Sequence, residues 1–137
     1  MPIRKMRIVI DTNLWISFLI TKDNTKMDIL FKNKSIRLLF SKELIEEFLS
    51  VAGRPKFHKY FSEKDIERLL TSFDQIGKLV KIKSDMKICR DNKDDFLLNL
   101  AIDGNAKYLI TGDKDLLTLN KVGKTKIVSM SGFLENL

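Results

Sequence analysis

Four acidic residues lie where a carboxylate could take part in metal chemistry. Asp11 directly follows the apolar run MRIVI, and Asp113 follows the run YLIT with only Gly112 between them. Asp94 begins a segment with helical apolar spacing, and Glu47 lies inside another such segment. Each acid alone has an ordinary explanation, as a helix cap or a solvated charge. Gathered in one place, they would repel one another and raise each other's pKa until a cation relieved the repulsion.

The elements expected to position these acids alternate between strands and helices. Apolar, β-branched runs predict strands over residues 6–10, 36–40, 79–82, 108–111 and 127–129. Helices are predicted after the first strand and over about residues 26–32, 41–52, 62–76, 94–104 and 114–119. Capping signals are Ser41, Ser62 and, for a final turn, Ser131. No tight hairpin signal joins consecutive strands, so the pattern predicts a parallel sheet covered by helices on both faces.

This architecture predicts where the acids meet. Ligands of parallel sheets bind outside the carboxyl ends of the strands, where Asp11 and Asp113 are expected. Asp94 begins the helix that leads into the fourth strand, and Glu47 lies beside the apolar stripe of its own helix. Carboxylate oxygens select hard ions such as Mg²⁺ or Mn²⁺. Such ions promote phosphodiester hydrolysis, often as a pair.

The charge balance fits a polyanionic partner. The chain of 137 residues carries 25 Lys and Arg against 18 Asp and Glu, a formal net charge of +7. Such an excess suits nucleic acid or a membrane surface, and a lysine-rich solvated surface explains it equally well. The expected acidic site favours a nucleic-acid substrate, because a metal ion would have to lie between its phosphates and the acids.

Several other chemistries are excluded by composition. His58 is the single histidine, so a two-histidine ribonuclease site and a histidine-rich zinc site are impossible within one chain. The single cysteine, Cys89, allows no internal disulfide and is expected to be a small buried hydrophobe. No phosphate-binding GxxxxGK[ST] loop and no GxGxxG motif occurs, so nucleotide cofactors have no recognisable site.

The chain is expected to form one domain, residues 1–137, away from membranes. No Pro/Gly/Ser-rich linker or repeat divides it. The basic N-terminus and the apolar run after it resemble a secretory signal, but Asp11 and Asn13 interrupt the run and no small-residue cleavage site follows. The run is too short to span a bilayer. Together with the absence of disulfides, this favours the reducing cytoplasm.

Four motifs, in this order, resemble the PIN domain. They are IVIDTN, SKELIEEFLSV, RDNKDDFLLNLAIDGNAKYLITGDKDLL and the closing IVS, and they cover nearly the whole chain. The chain is similar in particular to the PIN-family toxins of bacterial toxin–antitoxin pairs. The resemblance implies a three-layer α/β/α sandwich and Mg²⁺- or Mn²⁺-dependent endoribonuclease activity. It also implies RNA as substrate, a cognate antitoxin protein as partner and a homodimer.

Residue by residue, the resemblance places the family's acids on this chain. The first acid matches Asp11, the helix acid matches Glu47, and the fourth matches Asp113. The third matches Asp94 or its neighbour Asp95; Asp94 is preferred for its spacing to Ala101 and Ala106. Secondary positions, which would hold the carboxylates or add an acid, are Asn13, Thr111 and Asp115. Asp11, Asp94 and Asp113 are thus implied as metal ligands, and Glu47 as a ligand or the group that orients the attacking water.

Two other interpretations use the same residues. On the first, the chain is a non-catalytic RNA-binding or protein-interaction module whose acids serve only as helix caps. On the second, it is a phosphatase or a receiver-like domain, since these also gather carboxylates on a parallel sheet. Replacement of Asp11 by Asn separates catalysis from capping, and turnover of small phosphoesters would indicate the second alternative.

Overall fold

The sheet of this protein is built around a buried central strand. A computed structural model describes residues 5–22, 24–87 and 94–137. Within these ranges six strands form one sheet in the order β3–β2–β1–β4–β6–β5. The strands are β1 Met6–Ile10, β2 Ile36–Phe40, β3 Gly77–Leu79, β4 Tyr108–Ile110, β5 Lys121–Val122 and β6 Thr125–Val128. All neighbours pair parallel except β5 with β6.

Helices cover the sheet to give the expected three-layer α/β/α sandwich. In the described ranges they are α1 Thr12–Thr21, α2 Asn24–Lys32, α3 Lys42–Ala52, α4 Glu63–Ile76, α5 Asp95–Asp103, α6 Lys114–Leu119 and α7 Met130–Glu135, with a 3-10 turn at Pro55–Phe57. The predicted caps at Ser41 and Ser62 are confirmed: Ser41 accepts from the Leu44 N–H, and Ser62 forms a capping box with Asp65. No helix of the described residues is long and apolar enough to cross a membrane.

The strand order reverses next to β1, and this reversal defines the site. The chain passes from β1 to β2 and then to β3 on one side. It returns through α5 to β4, which pairs with β1 on the other side. Such a topological switch point leaves a crevice at the carboxyl ends of the two central strands. Ile10 is paired with Ile110, so the residues that follow them, Asp11 and Thr111, emerge side by side.

Aromatic side chains fill the core on one side of the sheet. Trp15, only 1% exposed, packs edge-on against Phe73 with ring centroids 4.8 Å apart, and Phe73 in turn contacts Phe40 at 4.2 Å. Trp15 also stacks on Phe31. This cluster fixes α1, which starts at the carboxyl end of β1. The helix that carries the residues after Asp11 is therefore held firmly against the sheet.

The bounds predicted for the third strand were wrong. It was expected over residues 79–82, but β3 is Gly77–Leu79 and begins where α4 ends. A Cβ on Gly77 would lie 2.5 Å from the Phe40 ring, so glycine lets the chain turn into the sheet against that ring. Val80 still donates to the Phe40 carbonyl at 2.7 Å, and the ladder stops there.

The last part of the sheet also differs from expectation. A hairpin joins β5 and β6, where none was expected, through the two-residue turn Gly123-Lys124. Gly123 has φ +56°, the positive value that a tight two-residue turn requires at its first position. The strand expected over 127–129 is Thr125–Val128, and Ser129, not Ser131, caps α7 by accepting from the Gly132 N–H.

Two smaller boundaries are adjusted. The helix expected over 26–32 begins earlier, at Asn24. The strand expected over 108–111 ends at Ile110, although the Thr111 N–H still bonds to the Val128 carbonyl at 3.0 Å. The expectation for Cys89, and the start of the DxxDD motif at Asp91, lie outside the described residues.

Candidate active site

Asp11 lies at the crevice between β1 and β4. Its N–H donates to the Ile110 carbonyl at 2.9 Å, which continues the pairing of the two strands by one step. Its carboxylate then turns toward the start of α1, where one oxygen accepts from the Asn13 N–H at 3.2 Å. The capping explanation is therefore correct for this oxygen. The side chain of Asn13 is exposed, so its contribution to Asp11 is made by the backbone.

Thr111 connects the first and fourth acids through one hydroxyl group. This residue is fully buried, and its Oγ1 donates to Oδ2 of Asp11 at 2.7 Å. Oγ1 of Thr111 also accepts from the Asp113 N–H at 3.0 Å. One side chain thereby fixes the orientation of the Asp11 carboxylate and the path of the backbone into Asp113. The expected supporting role of Thr111 corresponds to these two contacts.

The pKa of Asp11 is raised above its ordinary value. Burial is the main cause, since only 5% of the residue is exposed. The hydrogen bonds from Thr111 and Asn13 lower the pKa in part, and the nearby charge of Asp113 raises it again. Asp113 is thus close enough for its charge to act on Asp11. A cation between them would stabilise the ionised form of both.

Asp113 is half-buried and caps α6. Its Oδ1 accepts from the N–H groups of Asp115 and Leu116, at 2.8 and 3.4 Å. Within the described part of the chain, its Oδ2 has no hydrogen-bond partner. One oxygen therefore holds the helix and the other is available to a ligand. Asp115 is exposed in the first turn of the same helix.

Glu47 is brought toward Asp11 by a residue that the sequence analysis did not single out. Thr12, 2% exposed at the start of α1, donates from Oγ1 to Oε2 of Glu47 at 3.0 Å. Since Thr12 directly follows Asp11, this bond ties the middle of α3 to the first turn of α1. A buried threonine beside a strand-end acid was the available signal, but nothing in the sequence identified Glu47 as its partner.

The third acid lies at the start of α5. Asp94 is the N-terminal residue flanking the helix and is half-buried, and its side chain makes no capping hydrogen bond. Asp95, in the first turn, is buried, with 7% exposed. Helix α5 packs against β1, β4 and α3, the elements that carry or precede the other three acids. Both residues therefore lie at the start of a helix that contacts these elements, and the role of either as a ligand stays a prediction.

The acids of the described residues do not by themselves form a metal site. No group of three or more Asp, Glu, His or Cys side chains among them is arranged to hold an ion. Two of the predicted acids, Asp11 and Asp113, are linked, because the charge of Asp113 acts on Asp11 and Thr111 contacts both. Their oxygen donors, the raised pKa of Asp11 and the available Oδ2 of Asp113 fit a hard divalent cation. The role of Glu47 and Asp94 as further ligands beside this pair stays a prediction.

Sequence comparison identifies the class of protein that this fold and site define. A family model for the PIN domain matches residues 7–115, so the chain belongs to the PIN-domain family. PIN domains are generally nucleases and typically use divalent metals.

One relative extends the match over most of the chain. An uncharacterized protein of Methanocaldococcus jannaschii, MJ1680, is 32% identical over 124 residues. The matched region covers 88% of this chain and 79% of that protein.

Proposed function

We propose that this protein is a metal-dependent endoribonuclease that hydrolyses RNA phosphodiester bonds with Mg²⁺ or Mn²⁺. The observation that carries the proposal is the arrangement of two acids around one buried hydroxyl at the switch point of the sheet. Thr111 contacts Oδ2 of Asp11 and the N–H of Asp113. Oδ1 of Asp113 accepts from the start of α6, and its Oδ2 has no hydrogen-bond partner among the described residues. A purely structural pair of caps would not require burial of one acid beside another, since this raises the pKa of Asp11.

Each acid has a defined part in this proposal. Asp11 and Asp113 hold the metal directly, and Asp94 from α5 is a further ligand, with Asp95 its neighbour. Glu47 is a ligand or orients the attacking water, and its bond from Thr12 sets its direction. A bound divalent ion supplies an activated water and stabilises the leaving oxygen. The protein itself holds the carboxylates in fixed positions through Thr111, Thr12 and the helix starts.

Cleavage of RNA by single-residue variants tests this proposal. Wild-type protein with Mn²⁺ is expected to cut a single-stranded RNA, and both Asp11→Asn and Asp113→Asn to lose at least about a hundredfold in rate, as expected when a metal ligand or its support is removed. Asp74→Asn, an exposed acid on α4, is the matched control and should keep full activity. Wild-type cleavage by Asp11→Asn would show that the acids are only caps.

The same assay resolves the third acid. Asp94→Asn and Asp95→Asn are compared side by side at several Mn²⁺ concentrations. The variant of the true ligand should need more Mn²⁺ for half-maximal activity. The variant of its neighbour should change stability without changing that concentration. If both behave like Asp74→Asn, the helix start of α5 is not part of the metal site.

A role as the toxin of a toxin–antitoxin pair is also proposed, on the family resemblance. It implies a cognate antitoxin protein, a homodimer and action in the cytoplasm. Induced expression is expected to arrest growth, and Asp11→Asn to abolish the arrest at equal protein level. Equal arrest by the variant would contradict a toxic nuclease activity. Sedimentation of the purified chain tests the dimer separately.

A further inference from the structure

The amino edge of the sheet carries a basic depression of about 890 Å³. It lies at the opposite ends of the strands from Asp11 and Asp113. Six of its lining residues are cationic, and the other two are Met6 and Asn105. The cations are Lys5, Arg7, Arg37, Lys78, Lys107 and Lys124. No acidic residue of the described chain lines it.

The parallel topology brings these cations together from distant parts of the sequence. Arg7 and Arg37 are paired across β1 and β2, so two like charges lie side by side. Lys78 is in β3 beside Leu39, while Lys107 directly precedes β4 and Lys124 lies in the turn before β6. Like charges on neighbouring strands are unfavourable by themselves. The fold therefore keeps an arrangement that a bound anion would stabilise.

The charges of this basic edge are not neutralised within the described residues. Ion pairs such as Lys32 with Asp28 and Lys42 with Glu46 include no cation of the depression. Arg7 donates to the Gly104 carbonyl at 3.4 Å, and Lys107 lies over the ring of Tyr108 at 5.6 Å. These contacts orient the two side chains but leave their positive charge uncompensated.

A second, smaller depression continues the basic edge. Its volume is about 240 Å³, and it shares Lys5 and Arg37 with the larger one. It adds Lys34, and also Lys32, whose charge is paired with Asp28. The cations thus extend as a groove across the sheet edge, from Lys124 to Lys34. A groove of this length suits a linear chain of phosphates better than a single compact anion.

We propose that this basic edge binds the phosphate backbone of single-stranded RNA and serves as a second contact for long substrates of the proposed ribonuclease. From Met6 in the depression to Asp11 is five residues, roughly 16 Å at about 3.3 Å per residue. RNA held there does not reach the acids unless it continues around the molecule. The edge therefore contributes affinity for long RNA, while the carboxyl edge carries the chemistry. The larger depression offers a membrane little apolar surface, because its one apolar lining residue, Met6, is half-buried.

Binding without cleavage gives the first test. The triple variant with Lys78→Gln, Lys107→Gln and Lys124→Gln removes three exposed charges of the groove. In the absence of metal, its affinity for an RNA of about 30 nucleotides should fall at least about tenfold. The slope of log K against log salt should fall by about 2, since each phosphate contact on a single strand contributes roughly 0.7.

The matched control removes the same charge elsewhere. Three exposed lysines that line neither depression are replaced together: Lys56→Gln, Lys59→Gln and Lys64→Gln. This control is expected to bind RNA with nearly wild-type affinity and slope. An equal loss in both triple variants would mean that net charge alone binds RNA, and would overturn the proposal. Wild-type RNA affinity of the triple variant at Lys78, Lys107 and Lys124, called the groove variant below, would also overturn the proposal. The same holds if the groove variant loses binding only to anionic lipid vesicles.

Cleavage of substrates of two lengths gives the second test. The groove variant should raise KM for the long RNA about tenfold with kcat unchanged, and should cut a tetranucleotide like the wild type. Equal losses on both substrates would place the lysines at the reacting site and overturn the proposal. If the wild type cuts neither RNA, the proposed function fails, and the metal-free binding measurement still decides whether the basic edge holds RNA.

Discussion

At the scale of single residues, Thr111 contacts both Asp11 and Asp113 of the candidate site. Thr111→Val keeps the shape of the side chain but removes the hydroxyl between Asp11 and Asp113. We expect a loss of about 1–3 kcal/mol in unfolding free energy, because a buried donor and acceptor lose their partner. Activity should fall about 10- to 100-fold and need more Mn²⁺, while Thr111→Ser restores it.

Thr125 provides the control for that experiment. It is also a buried threonine, 2% exposed, and its hydroxyl donates to the Ala106 carbonyl at 2.7 Å. Thr125→Val should lower stability by a similar amount and leave the Mn²⁺ requirement unchanged. A parallel change in that requirement would mean that both variants act only through stability.

The ionised Asp11 side chain is expected to lower the stability of the folded chain when no metal is bound. Its pKa is raised by burial, so the folded chain holds the Asp11 proton more tightly than the unfolded chain does. The stability that the folded chain gains from this tighter proton binding is fully present below the unfolded pKa of roughly 3.9. It is lost as pH rises through the folded pKa. Metal-free Asp11→Asn should therefore melt at a higher temperature than wild type at pH 7, with the difference disappearing near about pH 3. A lower melting temperature at pH 7 would contradict the prediction.

At the scale of elements, α5 holds the segment after β3 by side chains rather than by a strand ladder. Asn99 bonds to both the N–H and the carbonyl of Met86, at 3.0 and 3.2 Å. One turn further on, Asp103 accepts from the Ser84 hydroxyl at 2.6 Å and from the N–H groups of Ser84 and Lys83. Together these bonds align residues 83–86 along the helix that begins beside Asp94.

These bonds lower the pKa of Asp103, the Ser84 hydroxyl most strongly. A lowered folded pKa gives stability that is present above the unfolded pKa of roughly 3.9 and lost as pH falls through the folded pKa. Asp103→Asn should therefore melt below wild type at pH 7, and the gap should close as pH falls below about 4. Thermal melts across this range check it, with Asp74→Asn as the exposed-acid control. A gap that widens at low pH would contradict the assignment.

The elements also show why part of the structure follows from sequence and part does not. The first two strands and the caps at Ser41 and Ser62 depend on local patterns, and these predictions are confirmed. The β5–β6 hairpin was missed because its strands are too short to show a period. The Thr12–Glu47 and Asn99–Met86 bonds join residues far apart in sequence, so no local pattern records them. The acid pair was predictable only because Asp11 directly follows β1 and Asp113 comes three residues after the end of β4.

At the scale of the whole molecule, the two ends of the sheet have opposite electrostatic character. Acids gather at the carboxyl edge and uncompensated cations at the amino edge. A divalent ion should act on the first edge alone, whereas RNA phosphates should act on both. Changes at sites this far apart are expected to add independently.

Thermal melting with Mn²⁺ tests that separation. An ion that binds only the folded chain, at about 100 times its Kd, stabilises it by about 2.7 kcal/mol, which corresponds to a rise of several degrees in Tm. Asp11→Asn should lose this rise, because it removes one ligand of the acid pair. The groove variant at Lys78, Lys107 and Lys124 should keep all of it. A full Mn²⁺ shift in Asp11→Asn would locate the bound ion elsewhere, while a reduced shift in the groove variant would mean that the two edges are coupled through the sheet.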